Sequence, residues 1–591
     1  MAGAISGNVS DDNSILEFEF EQGIPQHDDP FIQKYMSGRQ ALIEQEKKQR
    51  HDQVFKQTMS PMAKQAAKIM AAVRRKELKL VWTSDFEQSL ADKNGGNLYP
   101  GMMFMLARER METTELWKMI ERMPKGALLH AHLDAMVDVD WLIDQTLSET
   151  GLCLQSAEPL SDESVRERAA LQIRYYPDST LSKLSRKANN SIWTRHYDPN
   201  TPIPIREAQR TFPEHDRTFK KWLASRCVIT AEESLAHHHG LDAIWRKFQS
   251  CFLAIGQMLF YEPIFRRALR RLLGQLVADG ITYIDFRLAF RFQWRAQGQT
   301  DPCPDDSDNH NGSSADCFFK AFGETISDFQ KQQQQQEHQP KFHSARMIWT
   351  NIRAGDTRTQ ARHMQQCIHM KQKYPHLISG FDFVGQEDRG RTLADLTPLI
   401  FWFRKQCVAA GVEIPFFFHA GECLGDGDST DNNLFDAILL GTRRIGHGYS
   451  LAKHPLLIDM VREKRILVES CPISNEVLRL ASSILAHSLP ALLARGIACA
   501  LNNDDPAILG HGRNGLSHDF WQAYMAWENL GLEGLAVMAE NSVRWAAVED
   551  QKAAEWNKTI ADGYMGKSVK AKLLWEWRVE FEKWCQWHRP L

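Results

Sequence analysis

Residues 416–450 read FFFHAGECLGDGDSTDNNLFDAILLGTRRIGHGYS. Phe416, Phe417 and Phe418 form an apolar run that stops abruptly at His419, with Gly421 and Glu422 directly behind it. A Gly- and Asp-rich loop follows, then a short helical stretch, then a second brief strand ending on His447. A buried strand that ends on a histidine and a carboxylate is not laid out like ordinary core. In a parallel α/β barrel the C-terminal strand ends are where reactive groups collect. The stretch therefore predicts two neighbouring barrel strands whose tips carry chemistry.

The same pattern recurs on both sides. Upstream, a helix over 112–124 leads through Pro124 and Gly126 into ALLHAHLD, residues 127–134. Side chains alternate along a strand, so His130 and His132 share one face and can offer two imidazoles to one metal ion. Further strands are expected at 280–287, 346–350, 381–384, 415–418, 443–446, 466–469 and 497–501. Helical patterns separate them, for example 393–410 and 451–463. Eight strands alternating with helices predict the α/β class and a (β/α)8 TIM barrel.

The barrel domain is expected over 112–545. Residues 1–30 are acidic and without periodicity, which predicts a flexible tail. Over 31–111 the pattern is helical, with Phe31, Tyr35, Met36 and Leu42 at helical spacings, a packing arm or an oligomer contact. Residues 142–245 are rich in Pro, Asn, Ser and aromatics and read as an insertion after the first strand. Trp193, Phe212 and Trp222 within it read as packing residues. A single long amphipathic helix is expected over 241–276. Residues 296–340 form a low-complexity loop whose Gln run, 332–336, reads as a polar extension of a helix. Residues 546–591 read as a helical, Trp-rich C-terminal extension.

Bulk properties remove several function classes. The 591 residues carry 71 basic and 74 acidic side chains, a formal charge of -3. No global field favours nucleic acid or an anionic membrane. No apolar run approaches the roughly 18 residues of a membrane span. The first twenty residues lack the basic and apolar regions of a secretory signal. Eleven scattered cysteines with no CxxC pair read as free thiols in a reducing compartment, so a cytoplasmic location is expected.

Placed on the strand ends, the polar residues converge. Strand one carries His130 and His132, strand five His419 and Glu422, strand six His447, and strand eight Asp504 and Asp505. Three histidines and one aspartate can hold a borderline cation such as zinc and leave a position for water. A glutamate, a histidine and a second aspartate remain for acid–base work and substrate binding. MPKGALLHAHLD, FHAGE, RIGHG, CPISN (471–475) and LNNDDP together resemble the adenosine deaminase branch of the metal-dependent amidohydrolases. With GFDFVGQED (380–388), the N-terminal arm and the insertion, the chain is most similar to the adenosine deaminase-related growth factor subfamily.

That resemblance implies one zinc ion per subunit, held by His130, His132, His419 and Asp504. It implies that Glu422 protonates N1 of a purine, that His447 orients water and helps take its proton, and that Asp504 belongs to the catalytic set. Asp505 would bond N7, the Gly385 N–H would contact N3, and Asp134 would approach the ribose. Zinc chemistry fits these roles, because the ion lowers the pKa of bound water from 15.7 to about 7. A carboxyl kept protonated by its surroundings can supply the acid. The implied reaction is deamination of adenosine or 2′-deoxyadenosine, and the subfamily's arm implies a homodimer. Residues 471–475 would support the site by packing and hydrogen bonds.

Two other readings stand beside it. One is a deaminase of adenine nucleotides or modified adenines, for which Arg186, Lys187 and Arg195 are available to hold phosphate. The other is a barrel kept as a non-catalytic nucleoside- or receptor-binding module. A cytidine-deaminase-type site needs H-x-E and P-C-x-x-C, and neither occurs.

Overall fold

The computed structural model describes residue 14 and residues 17–93, 103–184, 191–213, 218–304, 312–335, 341–425, 427–512 and 515–587. Its first barrel strand, β1 (Gly126–His132), is buried along almost its whole length, as a strand in a parallel sheet covered on both faces must be. A small antiparallel sheet follows, of β2 (Leu152–Ser156), β3 (Leu171–Tyr175) and β4 (Ile203–Pro204). The remaining strands are β5 (Ile281–Ala289), β6 (Ser344–Ile352), β7 (Ile378–Val384), β8 (His419–Ala420), β9 (Arg444–His447), β10 (Leu467–Ser470) and β11 (Cys499–Leu501). Their order is β1-β5-β6-β7 in one set and β8-β9-β10-β11 in the other, and every pairing within the two sets is parallel.

Two parallel bridges join the sets into a closed barrel, Phe381 with Phe416 and Ala131 with Asp504. At the second seam the Asn502 side-chain oxygen accepts from the N–H groups of Leu129 and His130, both at 3.0 Å. The His132 N–H then donates to the Asp504 carbonyl at 3.0 Å. Asp504 thus closes the barrel with its backbone, which adopts φ +57°, a region non-glycine residues rarely enter.

The fifth strand differs from expectation. Regular pairing is confined to His419–Ala420, although the backbone of 415–418 still bonds to both neighbours. Packing between this stretch and β7 is tight: the Phe417 ring fills the space a side chain at Gly380 would need. A Cβ there would lie 2.4 Å from that ring and 2.8 Å from the Pro415 carbonyl. Gly380→Ala is therefore expected to lower stability by about 1–3 kcal/mol, read as a fall in the denaturant midpoint with unchanged slope.

The expected single helix over 241–276 is two helices, Gly240–Leu259 and Glu262–Ala278. They are broken at Phe260 and Tyr261, where Pro263 enters the first turn of the second and cannot continue the first. The expected loop over 296–340 is corrected too. Helix Ser314–Gln334 occupies its middle and buries Phe318, Phe319, Phe322 and Ile326 against the barrel. Gln332, Gln333 and Gln334 form its last turn. Residues 305–311 and 336–340 lie outside the described residues, as do residues 1–13, 15 and 16 of the expected tail; residues 17–21 are helical.

In the insertion, Trp193 packs edge-on to Trp222 at 5.3 Å and to Phe212 at 5.0 Å, a small aromatic core of its own. Helix Pro61–Leu80 of the arm packs on helices Gly531–Arg544 and Val569–Trp587 through Ala63, Ala66 and Met70. Helix Pro30–Gln49 buries no residue and leaves Phe31 and Leu42 exposed. Among the described residues, no helix is long and apolar enough to cross a membrane.

Candidate metal centre and purine site

The histidine and carboxylate side chains singled out in the sequence meet at the C-terminal mouth of the barrel. One ligand atom from each of His130, His132, His419 and Asp504 lies within 4.8 Å of the other three. The His130 Nε2 is 3.2 Å and the His132 Nε2 3.4 Å from Asp504 Oδ1. His447 Nε2 stands 3.6 Å from both Glu422 Oε1 and Asp504 Oδ2. His447 sits at φ +62° at the tip of β9, so its ring leaves the strand line and turns inward.

The donor set fits a metal ion on its own chemistry. His130 Nε2 and Asp504 Oδ1 are buried and have no hydrogen-bond partner among the described residues, a costly state that a cation would relieve. Burial holds the His132 imidazole down to about 3 and drives His419 and His447 below their ordinary range, so all three present neutral nitrogens. Burial alone would raise Asp504, but His447, His130 and His132 outweigh it and keep it ionised. A second grouping replaces His132 and His419 with His447 and Cys471. Burial pushes that thiol well up, away from the thiolate a metal needs.

Behind the donors lies a charged layer that the sequence reading passed over. His130 Nδ1 meets Glu469 at 2.9 Å and His419 Nδ1 meets Asp382 at 2.6 Å, each carboxylate fixing a ring so that Nε2 faces the centre. Arg287 lies between those carboxylates, its Nε 2.9 Å from Asp382 and its Nη2 2.7 Å from Glu469. Arg444 completes the layer, bonding Glu469 through Nε and lying 3.0 Å from Asp285. All five side chains are fully buried. The signal was present: charges in the middle of strands that must be buried on both faces have to pair with one another.

Glu422 is not part of the four-donor set. Burial raises its carboxyl well above the ordinary range, and Asp504 and Glu387 add to the effect, so it is held protonated. Its N–H donates to Glu387 at 3.0 Å, and Asn433 holds the other Glu387 oxygen at 2.7 Å. Asp505 is likewise raised, by burial and by Asp504 beside it, and its Oδ1 has no hydrogen-bond partner among the described residues. Asp134, in the turn after β1, is pushed up to about 7 by burial. Gly385 follows β7 at φ +99°, a backbone a side chain would strain. Ser474 donates to Asp504 at 2.8 Å and Asn475 lies 3.3 Å from His447, the support expected of 471–475. Of the suggested phosphate-holding residues, Arg186 and Lys187 lie outside the described residues. Arg195 is 82% exposed beside Asp162.

A closed parallel barrel with a histidine–carboxylate centre at its C-terminal mouth defines a metal-dependent hydrolase of the amidohydrolase kind. The family model for adenosine deaminase matches residues 228–562. Adenosine deaminase 2-A of Danio rerio is 30% identical over 470 residues, covering 78% of this chain and 83% of that protein. Adenosine deaminase of Lutzomyia longipalpis is 30% identical over 77% of this chain and 81% of its own length. Human adenosine deaminase 2 is 28% identical over 78% and 83%. The chain belongs to the adenosine deaminase family.

Proposed function

We propose that the protein hydrolyses the 6-amino group of adenosine and 2′-deoxyadenosine, releasing ammonia and leaving inosine or deoxyinosine. The observation that carries this is the placement of a buried carboxyl, Glu422, within reach of His447 and beside four converging metal-donor atoms. Three imidazoles and a carboxylate support zinc as the ion, held by His130, His132, His419 and Asp504. When bound, zinc supplies the Lewis acidity that makes water nucleophilic near neutral pH.

The other roles follow from the surroundings of each residue. Glu422 donates its proton to N1 of the purine, which makes C6 electrophilic. His447 orients the attacking water, and Asp504, ionised and 3.6 Å away, is placed to accept a proton. Asp505 bonds N7 as a protonated donor, and the Gly385 N–H reaches N3. Asp134 bonds the ribose. Nucleosides are favoured over nucleotides because the groups that gather near the site, Asp134, Asp388 and Asp505, are carboxyls and offer a phosphate no cation to pair with.

Purified protein assayed on adenosine, deoxyadenosine, AMP, ATP and adenine is expected to consume the two nucleosides. AMP is expected to run about 10²-fold or more below adenosine in kcat/KM. Zinc-loaded protein inactive on the whole panel would overturn the reading. Dialysis against a chelator is expected to abolish turnover, and one equivalent of zinc per chain to restore it. We further propose a homodimer through the N-terminal arm, supported by the exposed apolar residues of helix Pro30–Gln49, which sedimentation of a Phe31→Ser/Leu42→Ser variant tests. Residence in a reducing compartment is supported by eleven free thiols, including Cys303 and Cys317 with sulfurs 3.4 Å apart, and cell fractionation tests it.

A further inference from the structure

His447 ends a chain of side chains that begins at a helix terminus away from the metal donors. Helix Leu489–Ala494 leaves its first N–H groups without partners inside the helix, as every helix does. The Leu489 N–H is taken up by His487, whose Nδ1 accepts it at 3.0 Å. A nitrogen that accepts an N–H carries no proton, so the His487 proton is on Nε2. That Nε2 lies 2.9 Å from the Asn475 side-chain oxygen and donates to it. The amide is thereby oriented, with its Nδ2 facing His447 Nδ1 at 3.3 Å. An amide NH2 can only donate, so His447 Nδ1 is the acceptor and the imidazole's proton is on Nε2. Turning the amide over would set the Asn475 NH2 against the His487 Nε2–H and leave two donors facing each other. A backbone amide therefore determines the whole chain. Asn475 is fully buried and His487 is 6% exposed, so water does not compete freely for these bonds.

We propose that His487 and Asn475 are positioning residues that keep the proton of His447 on Nε2, directed into the space between Glu422 and Asp504. The proposal rests on the deaminase reading for its effect on turnover, but not for the proton's location. With this tautomer His447 is an N–H donor toward the site. It holds the oxygen of the attacking water by donating to it, and the water's own proton passes to the carboxylate of Asp504. Among the described residues the His447 Nε2 has no hydrogen-bond partner, which is the state of a donor waiting for a substrate-side acceptor. It lies 3.6 Å from each carboxylate, too long for a direct bond and suited to an oxygen between them.

The test is 15N–1H correlation spectroscopy of protein labelled in its histidine rings, with His447 assigned by its loss in His447→Gln. Wild-type protein is expected to show His447 protonated at Nε2 and bare at Nδ1, with or without added zinc. Asn475→Asp can only accept at that position and is expected to move a proton onto Nδ1. It should lower kcat about 10²-fold or more while KM changes little and bound zinc is unchanged. His487→Leu frees the amide to turn and is expected to give both tautomers and an intermediate loss. His487→Gln offers an N–H in place of Nε2–H and is expected to restore most of the rate. Thermal midpoints near wild type qualify a variant for this comparison, and the wild-type spectrum decides even if no variant folds. A wild-type His447 protonated at Nδ1 would sink the proposal, as would unchanged kcat and tautomer in Asn475→Asp. If adenosine is not a substrate, the functional reading fails while the spectrum still judges the relay.

Discussion

Glu422→Gln is expected to lower kcat for adenosine by about 10²- to 10⁴-fold while the protein keeps its full complement of metal. The glutamine matches the glutamate in size, so the packing that buries the carboxyl to 4% exposure is retained. What is lost is the transferable proton. Burial, together with the charges of Asp504 and Glu387, holds that proton on Glu422 where a solvent-exposed glutamate would have lost it. An amide donates a hydrogen bond but gives up no proton at any working pH, so N1 would stay unprotonated and C6 weakly electrophilic. The measurement is steady-state kinetics paired with metal analysis of the same sample. A loss below tenfold would remove Glu422 from the acid role. Loss of metal would point instead to the grouping of His419, Glu422 and His447, whose donor atoms also lie close together.

Arg287→Met carries the largest expected effect on folding, a loss of about 3–5 kcal/mol. Arg287 is fully buried and makes four hydrogen bonds: to Asp382 at 2.9 Å, Glu469 at 2.7 Å, the Leu129 carbonyl at 2.9 Å and the Phe417 carbonyl at 3.2 Å. Methionine fills much of the volume and answers none of them. Asp382 and Glu469 would then share a low-dielectric space with one fewer cation. Glu469 is held ionised there because Arg287 and Arg444 outweigh the burial that would raise it. Without Arg287 a carboxylate in this layer takes up a proton and its grip on His419 or His130 changes. Metal affinity is therefore expected to fall about 10- to 100-fold as well. Denaturant unfolding of the metal-free protein separates the two effects, and a change under about 1 kcal/mol would show the layer to be dispensable. Lysine is not expected to rescue, since a point charge cannot bridge both carboxylates and two carbonyls.

Much of this protein is determined by local sequence. His-x-His on β1, the histidine ending the apolar run at 416–418 and the histidine ending β9 are legible because a parallel barrel strand alternates faces and stops at its chemistry. Eight strands could be counted because apolar runs of that length, separated by helical periods, have few other solutions. The break of 241–276 at Phe260 and Tyr261 was legible in principle from Pro263 alone, and the helix inside 296–340 from the phenylalanines at 318, 319 and 322. Both were obscured by neighbours: a continuous amphipathic stripe in one case, a polar flank in the other.

Other features exist only after the chain has closed. Arg287, Asp382, Arg444 and Glu469 come from four strands and look unrelated in the sequence; that they pair with one another follows from barrel register, which no local pattern encodes. Asp504 as both seam and candidate metal donor, the close fit of Phe417 against Gly380, and the orientation of Asn475 by His487 likewise depend on through-space contacts. Which residue types end which strands is already written in the chain, because periodicity and chain direction are local properties. Which of those residues face one another, and in what protonation state, is settled by folding, because distance, burial and field arise from packing remote segments together.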